Sequence, residues 1–189
     1  MNLNRRLGVS ALVCGLAAPL AGSPYRQTRA AGDAYSLAQV IMQGDDHVSA
    51  LTLAGWIRAR KAGLRVIDVR PPEEFAQWAI PTAENLQLGE LLRTRFAPDE
   101  VLVLYSEGGA HAGQAWTLLR MLGVNNAWFI AGGLADWHDE VITPVLPLNA
   151  SPAEVRAFEA TAELSRYFGG APSVGERKQS VSKTRRRGC

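Results

Sequence analysis

Cysteine is almost absent. The chain has 189 residues and two cysteines, Cys14 and Cys189, with none between them. This rules out a cysteine-based zinc cluster. Three histidines, His47, His111 and His138, show no metal-ligand spacing, so no metal site and no cofactor is expected. Long apolar runs are missing too. The uncharged stretch LGVSALVCGLAAPLAG (7–22) falls short of the about 20 residues that a membrane span needs. Charge balance is missing region by region. Residues 1–32 hold four arginines and no acid; 33–175 hold ten bases against seventeen acids; 176–189 hold six bases against one acid. The net charge of +2 therefore describes no part of the molecule. An acidic body argues against nucleic-acid binding.

What is present at the N-terminus reads as an export segment over 1–32. Arg5-Arg6 supply a positive start, and an apolar core of signal length follows. Small residues before two positions, near Ala17 and Ala30, allow cleavage at either. The expectation is an exported, periplasmic protein or one held at a membrane through this segment. A buried N-terminal helix is the alternative. With cleavage Cys14 is lost, leaving Cys189 the sole thiol and no internal disulfide.

The body alternates strand and helix signals. DAYSLAQVIMQGDD (33–46) gives a short helical pattern, and His47–Ala50 a short edge strand. Thr52 is expected to cap a helix carrying Leu53, Trp56 and Ile57, stopped at Gly63. LRVIDV (64–69), VLVLY (101–105) and AWFI (127–130) have the apolar, branched character of buried parallel strands. After the first, Pro71-Pro72-Glu73-Glu74 open a helix; residues 78–88 read as irregular, with a small helix at 90–94. A longer helix is predicted over 110–122, and a short turn or helix carries Leu134 and Trp137. Trp56, Trp116, Trp128 and Trp137 read as packing residues, and Trp78 as core despite its place beside the expected rim. This pattern predicts an α/β fold, a parallel sheet flanked by helices on both faces. In such sheets ligands bind at the carboxyl ends of the strands, where Asp68, Arg70 and Ser106 fall.

The loop after VLVLY is the candidate site: Ser106, Glu107, Gly108, Gly109, Ala110 and His111 lead into a helix. Strand, glycine-bearing loop and helix make a nest of backbone N–H groups suited to an anion. Asp68 and Arg70 stand at the neighbouring rim as an expected ion pair. VIDVRPPEEFAQWAIPTAENL, VLVLYSEGGAHAG and WFIAGGLADW together resemble a rhodanese-type (sulfurtransferase) domain, which implies a domain over 48–148. The resemblance places Ser106 where the family carries its catalytic Cys, His111 at an Arg position, Ala112 at a Ser position, and Trp78-Ala79 where Gly-His is common. It also implies sulfur transfer through a cysteine persulfide. A serine oxygen cannot form that persulfide, so the substitution removes the family reaction at this position.

Two segments follow. SPAEVRAFEATAELSRYFGG (151–170) is a predicted helix opened by a capping box at Ser151 and Glu154, packing back on the sheet or docking a partner. Residues 171–189 read as a disordered basic tail, drawn electrostatically to the acidic body and ending in Cys189. Three functions stay open. One is a binding or regulatory module without sulfurtransferase turnover, its ligand an unidentified protein or a small anion. Another is a sulfur or redox carrier using Cys189. The third is a serine hydrolase or phosphatase at Ser106, although the chain lacks a Gly-x-Ser-x-Gly elbow.

Overall fold

The structure is a computed structural model that describes residues 30–176. The chain falls into two compact units, 1–36 and 37–189. Of the first, the described part is the opening of helix α1 (Ala30–Gln43). The expected export segment lies mostly outside the described residues, and Cys189 lies wholly outside them.

The second unit is a five-stranded sheet in the order β1-β5-β4-β2-β3, every neighbour parallel. The strands are β1 (His47–Val48), β2 (Leu64–Asp68), β3 (Ala83–Asn85), β4 (Val101–Tyr105) and β5 (Ala127–Ile130). Parallel strands need crossovers, and helices α2 (Ala50–Arg58), α3 (Pro72–Gln77), α4 (Leu88–Leu91) and α5 (Ala110–Met121) supply them. Helix α6 (Gly133–Trp137) follows β5 and runs on as a π-helical turn, His138–Ile142. Helix α7 (Pro152–Tyr167) comes last.

Side-chain alternation along the strands builds two cores. Val66, Val103, Tyr105 and Ile130 point to the face covered by α2, α6 and α7, where Leu53, Ile57 and Trp137 are buried. Ile67, Leu102, Leu104 and Ala127 point to the other, under Leu91 of α4 and Ala112, Trp116 and Leu119 of α5, with Leu37 and Val40 of α1 packed against them. Four of the five β4 residues are buried, as both-face coverage demands of a central strand. Trp116 donates its indole N–H to Ala127 O at 2.7 Å, while the Trp137 indole N–H has no partner among the described residues. The Trp137 ring packs edge-on to Phe168 at 5.2 Å, which ties the end of α7 to the core.

Several expectations are corrected. Helix α2 starts at Ala50, because Ser49, not Thr52, is its cap: Thr52 N donates to Ser49 Oγ at 3.0 Å. Residues 78–88 are not wholly irregular, since Ala83–Asn85 pair with β2 at the sheet edge; a three-residue strand has too little periodicity to register. Trp78 is 44 % exposed rather than core. Trp56 and Trp128 are only half-buried. The segment expected to lack structure from 171 onward is ordered at its start. Strand β7 (Ser173–Val174) pairs with β6 (Val145–Leu146), held by main-chain bonds from Ala171 N to Ile142 O and Ser173 N to Pro144 O. Backbone bonds need no hydrophobic pattern, so composition alone misses them. The capping box of α7 is present: Glu154 N donates to Ser151 Oγ at 3.3 Å, and Ser151 N to Glu154 Oε2 at 2.7 Å.

Candidate functional site

Strand order reverses between β2 and β4: the chain leaves β2 toward β3 on one side and returns through β4 to β5 on the other. Ligand crevices form at such a switch point, beyond the carboxyl ends of the strands. Register sets Asp68 opposite Tyr105 there, so Asp68, Arg70 and the Ser106 loop share one rim, as the sequence implied.

Arg70 organises it. Its Nε donates to both Asp68 oxygens at 3.1 Å, and Nη2 donates to Asp68 Oδ2 and to Trp78 O, both at 2.7 Å. Nη1 reaches Glu107 Oε2 at 3.3 Å and lies 3.9 Å from Glu74. Asp68 is fully buried and Arg70 is 6 % exposed. Burial opposes the guanidinium charge, but the bonds to Asp68 outweigh it, and the Arg70 pKa is raised above its ordinary value. The Asp68–Arg70 pair is thus a structural strut. Its donors are committed before any anion arrives.

Tyr105 is a rim residue that the sequence pattern did not single out. Its hydroxyl accepts from Ile80 N at 3.1 Å, pinning the segment that carries Trp78. Burial, followed by the Asp68 carboxylate beside it, pushes the phenol pKa well up. Nothing in an apolar VLVLY run distinguishes a tyrosine with a buried partner from a packing residue.

The loop itself is built on glycines. Gly109 sits at φ 88° and Gly133 at φ 57°, conformations that favour glycine. A Cβ on Gly109 would lie 1.9 Å from Ala131 O, and one on Gly133 would lie 2.1 Å from Ser106 O. The two turns therefore pack backbone to backbone. Leu134 N donates to Ser106 O at 2.9 Å and Ala135 N to Glu107 O at 3.2 Å. Helix α6 holds the loop's carbonyls, while the loop's other end runs into the N-terminus of α5.

Ser106 is 2 % exposed, and its Oγ accepts from Ala112 N at 3.3 Å. Gly109 is the α5 cap and has no side chain, so the third amide of the helix takes its acceptor from Ser106. His111 is exposed on the first turn of α5, and among the described residues no hydrogen bond joins it to Ser106. The two residues that a Ser–His pair would require are not brought together. No group of three or more His, Cys, Asp or Glu among the described residues is placed to hold a metal. No described helix is long and apolar enough to cross a membrane.

Beside the loop lies an open cleft of about 550 Å³, lined by Trp78, Glu107, Leu134, His138, Asp139 and Ile142 among others. The signal for it was in the sequence. Leu134, His138 and Ile142 recur every four residues, the spacing of one helix face.

A family profile described as the rhodanese-like domain matches residues 53–140. A mitochondrial protein of Schizosaccharomyces pombe, assigned by its name as a thiosulfate sulfurtransferase, is 30 % identical over 91 residues, 40 % of this chain and 64 % of that protein. Protein YqhL of Bacillus subtilis is 32 % identical over 84 residues, 43 % of this chain and 65 % of that protein. The chain thus spans a little under two thirds of the length of these two relatives. Among solved structures, the human single-domain sulfurtransferase TSTD1 is 30 % identical, covering 49 % of this chain and 94 % of that one at a TM-score of 0.43.

Proposed function

We propose, for a chain whose residues 53–140 are a rhodanese-like domain, a role as a binding module that does not transfer sulfur at its own loop. The observation that carries this reading is the state of Ser106. Its oxygen is buried and serves as the acceptor for Ala112 N, and the resemblance to the family implies an ionised sulfur at this position. Among the described residues no base is hydrogen-bonded to that hydroxyl, and its oxygen cannot form the family's persulfide. The rim agrees. Every Arg70 nitrogen faces Asp68, Trp78 O, Glu107 or Glu74, so an incoming anion such as thiosulfate meets carboxylates rather than a free cation. The reading includes export, supported by Arg5-Arg6 and the uncharged run after them.

A thiosulfate-to-cyanide assay on the full chain tests the first part. The expected rate equals the blank, for both the parent and Ser106→Ala. An enzyme-dependent rate that Ser106→Ala abolishes would overturn the proposal. Intact-mass analysis of the protein recovered outside the cytosol tests export, expected to show loss of the first 20–30 residues; full-length protein found only in the cytosol would refute it.

A further inference from the structure

The cleft beside the loop has apolar walls and an acidic edge. Leu134 and Ile142 form one wall, and the half-exposed Trp78 ring forms another. Glu107, its side chain 72 % exposed, and Asp139 stand at the edge, with His138 Nδ1 3.7 Å from Asp139. A second cleft of about 400 Å³ shares Asp139 and runs along Pro144, Leu146 and Phe158, with Glu140 and Glu154 beside it. Ser151 donates to Glu154 through its backbone N–H and its hydroxyl, both at 2.7 Å, which lowers the Glu154 pKa and keeps that carboxylate charged. The described lining of the two clefts thus holds four carboxylates and no Lys or Arg. The Arg70 guanidinium that meets Glu107 is matched by the buried Asp68.

The Trp78 ring is a second, independent sign. Other tryptophans carry a cation of their own chain: Lys61 Nζ stands 5.0 Å from the Trp56 ring centre, and the Arg120 guanidinium 5.8 Å from that of Trp116. Arg70 holds the Trp78 carbonyl, yet its guanidinium lies over Tyr105, 5.8 Å from that ring centre. Among the described residues no cation covers the Trp78 ring. An open indole face beside two carboxylates suits an ammonium or guanidinium group. Two open clefts that share a residue suit an extended chain, whose alternate side chains enter successive pockets, better than a compact small molecule.

We infer, on the reading of the chain as a binding module, that the linked clefts dock an extended basic segment of a partner protein. One Arg or Lys side chain of that segment lies against the Trp78 ring, between Glu107 and Asp139. An apolar side chain packs on Leu134 and Ile142, and a further base faces Glu154. The charge of this ligand is opposite to that of thiosulfate. The complementarity sets the partner's register and speeds encounter, while the apolar walls and the indole face supply the contacts that persist in salt.

Fluorescence anisotropy of a labelled synthetic peptide titrated with the full chain tests this, at about pH 8, above the ordinary imidazole range. The probe has about eight residues, arginine alternating with leucine so that like side chains share a face. A matched probe carries glutamate in place of arginine. The arginine probe should bind, more weakly as salt rises from about 0.05 to about 0.5 M; the glutamate probe should show no binding below about 1 mM. The double variant Glu107→Gln, Asp139→Asn should weaken binding about tenfold, and Trp78→Leu about two- to fivefold. Asp99→Asn, before β4 at the opposite end of the sheet, should match the parent. An equal loss in Asp99→Asn would overturn the inference in favour of general attraction to an acidic body. So would an arginine probe that does not bind, or a double variant that binds like the parent. A parent chain that sediments as a dimer and is split by the probe would also overturn it, in favour of a second copy as the occupant. The exchange of probes leaves the protein untouched, so the charge requirement is read even where a variant is unstable. Thiosulfate turnover is read separately: a blank rate without probe binding removes this partner and leaves Ser106 idle, whereas probe binding with Ser106-dependent turnover does the reverse.

Discussion

Replacing Arg70 by Met should cost the protein about 3–5 kcal/mol, the range for breaking a buried ion pair from one side. The figure follows from what Arg70→Met leaves behind. Asp68 is fully buried and receives three side-chain contacts from Arg70, at 3.1, 3.1 and 2.7 Å. After substitution its charge keeps the backbone N–H of residue 70, 2.9 Å away in the parent, and the Tyr105 hydroxyl beside it, and loses its cation. Trp78 O loses its donor as well. The bond to Glu107 adds little, because that carboxylate is mostly in water. A domain of this size loses about 3 °C in Tm for each kcal/mol, so the midpoint should fall by about 10–15 °C. Urea unfolding followed by tryptophan fluorescence gives the free energy, provided the slope with denaturant stays constant. The double variant Asp68→Asn, Arg70→Met completes a cycle. It removes the stranded charge, so the coupling should be about 2–3 kcal/mol and the double less damaged than the sum of the singles. A loss under about 1 kcal/mol in Arg70→Met, or strict additivity, would refute the reasoning that this pair is the strut of the rim.

Ser106→Cys should restore little thiosulfate turnover, because the new thiolate would lie beside a rim whose one guanidinium is already matched by Asp68 and Glu107; robust turnover in the assay described above would show that the loop amides suffice. Tyr105→Phe should lose about 1–3 kcal/mol at neutral pH, since Ile80 N is left without an acceptor, measured by urea unfolding. Its pH profile should differ in sign-specific fashion: the parent's raised phenol pKa contributes stability that is full below about pH 10 and declines as pH rises past it, and Tyr105→Phe should lack that part of the decline. Gly133→Ala should destabilise by more than the about 1 kcal/mol of a left-handed alanine, because its Cβ would meet Ser106 O at 2.1 Å; a midpoint within experimental error of the parent would show that the two turns are not packed as described.

The sequence by itself determined the three central strands of the sheet and the larger helices around them, but not the edge strand Ala83–Asn85. LRVID, VLVLY and AWFI are short runs rich in branched and aromatic residues, as buried parallel strands are, and the capping box at Ser151 announces α7. It also determined that the loop lacks a thiol, because identity at position 106 needs no coordinates. Tertiary structure decided the rest, because the deciding partners are distant in sequence or belong to the backbone. Ser106 finds its acceptor role only once α5 turns Ala112 N toward it. Tyr105 becomes a rim tether only when Ile80 arrives from the other side of β2. Val145–Leu146 and Ser173–Val174 show no strand pattern at two residues each, and their pairing exists because α7 returns the chain beside Ile142. Trp78 looked like core by residue type and came out half in water, because Arg70 holds its carbonyl and leaves its ring at the mouth of a cleft. Hydrophobicity along a chain reports which elements are buried. Which polar atom meets which across the sheet is a matter of register and chain return, and that is set in three dimensions.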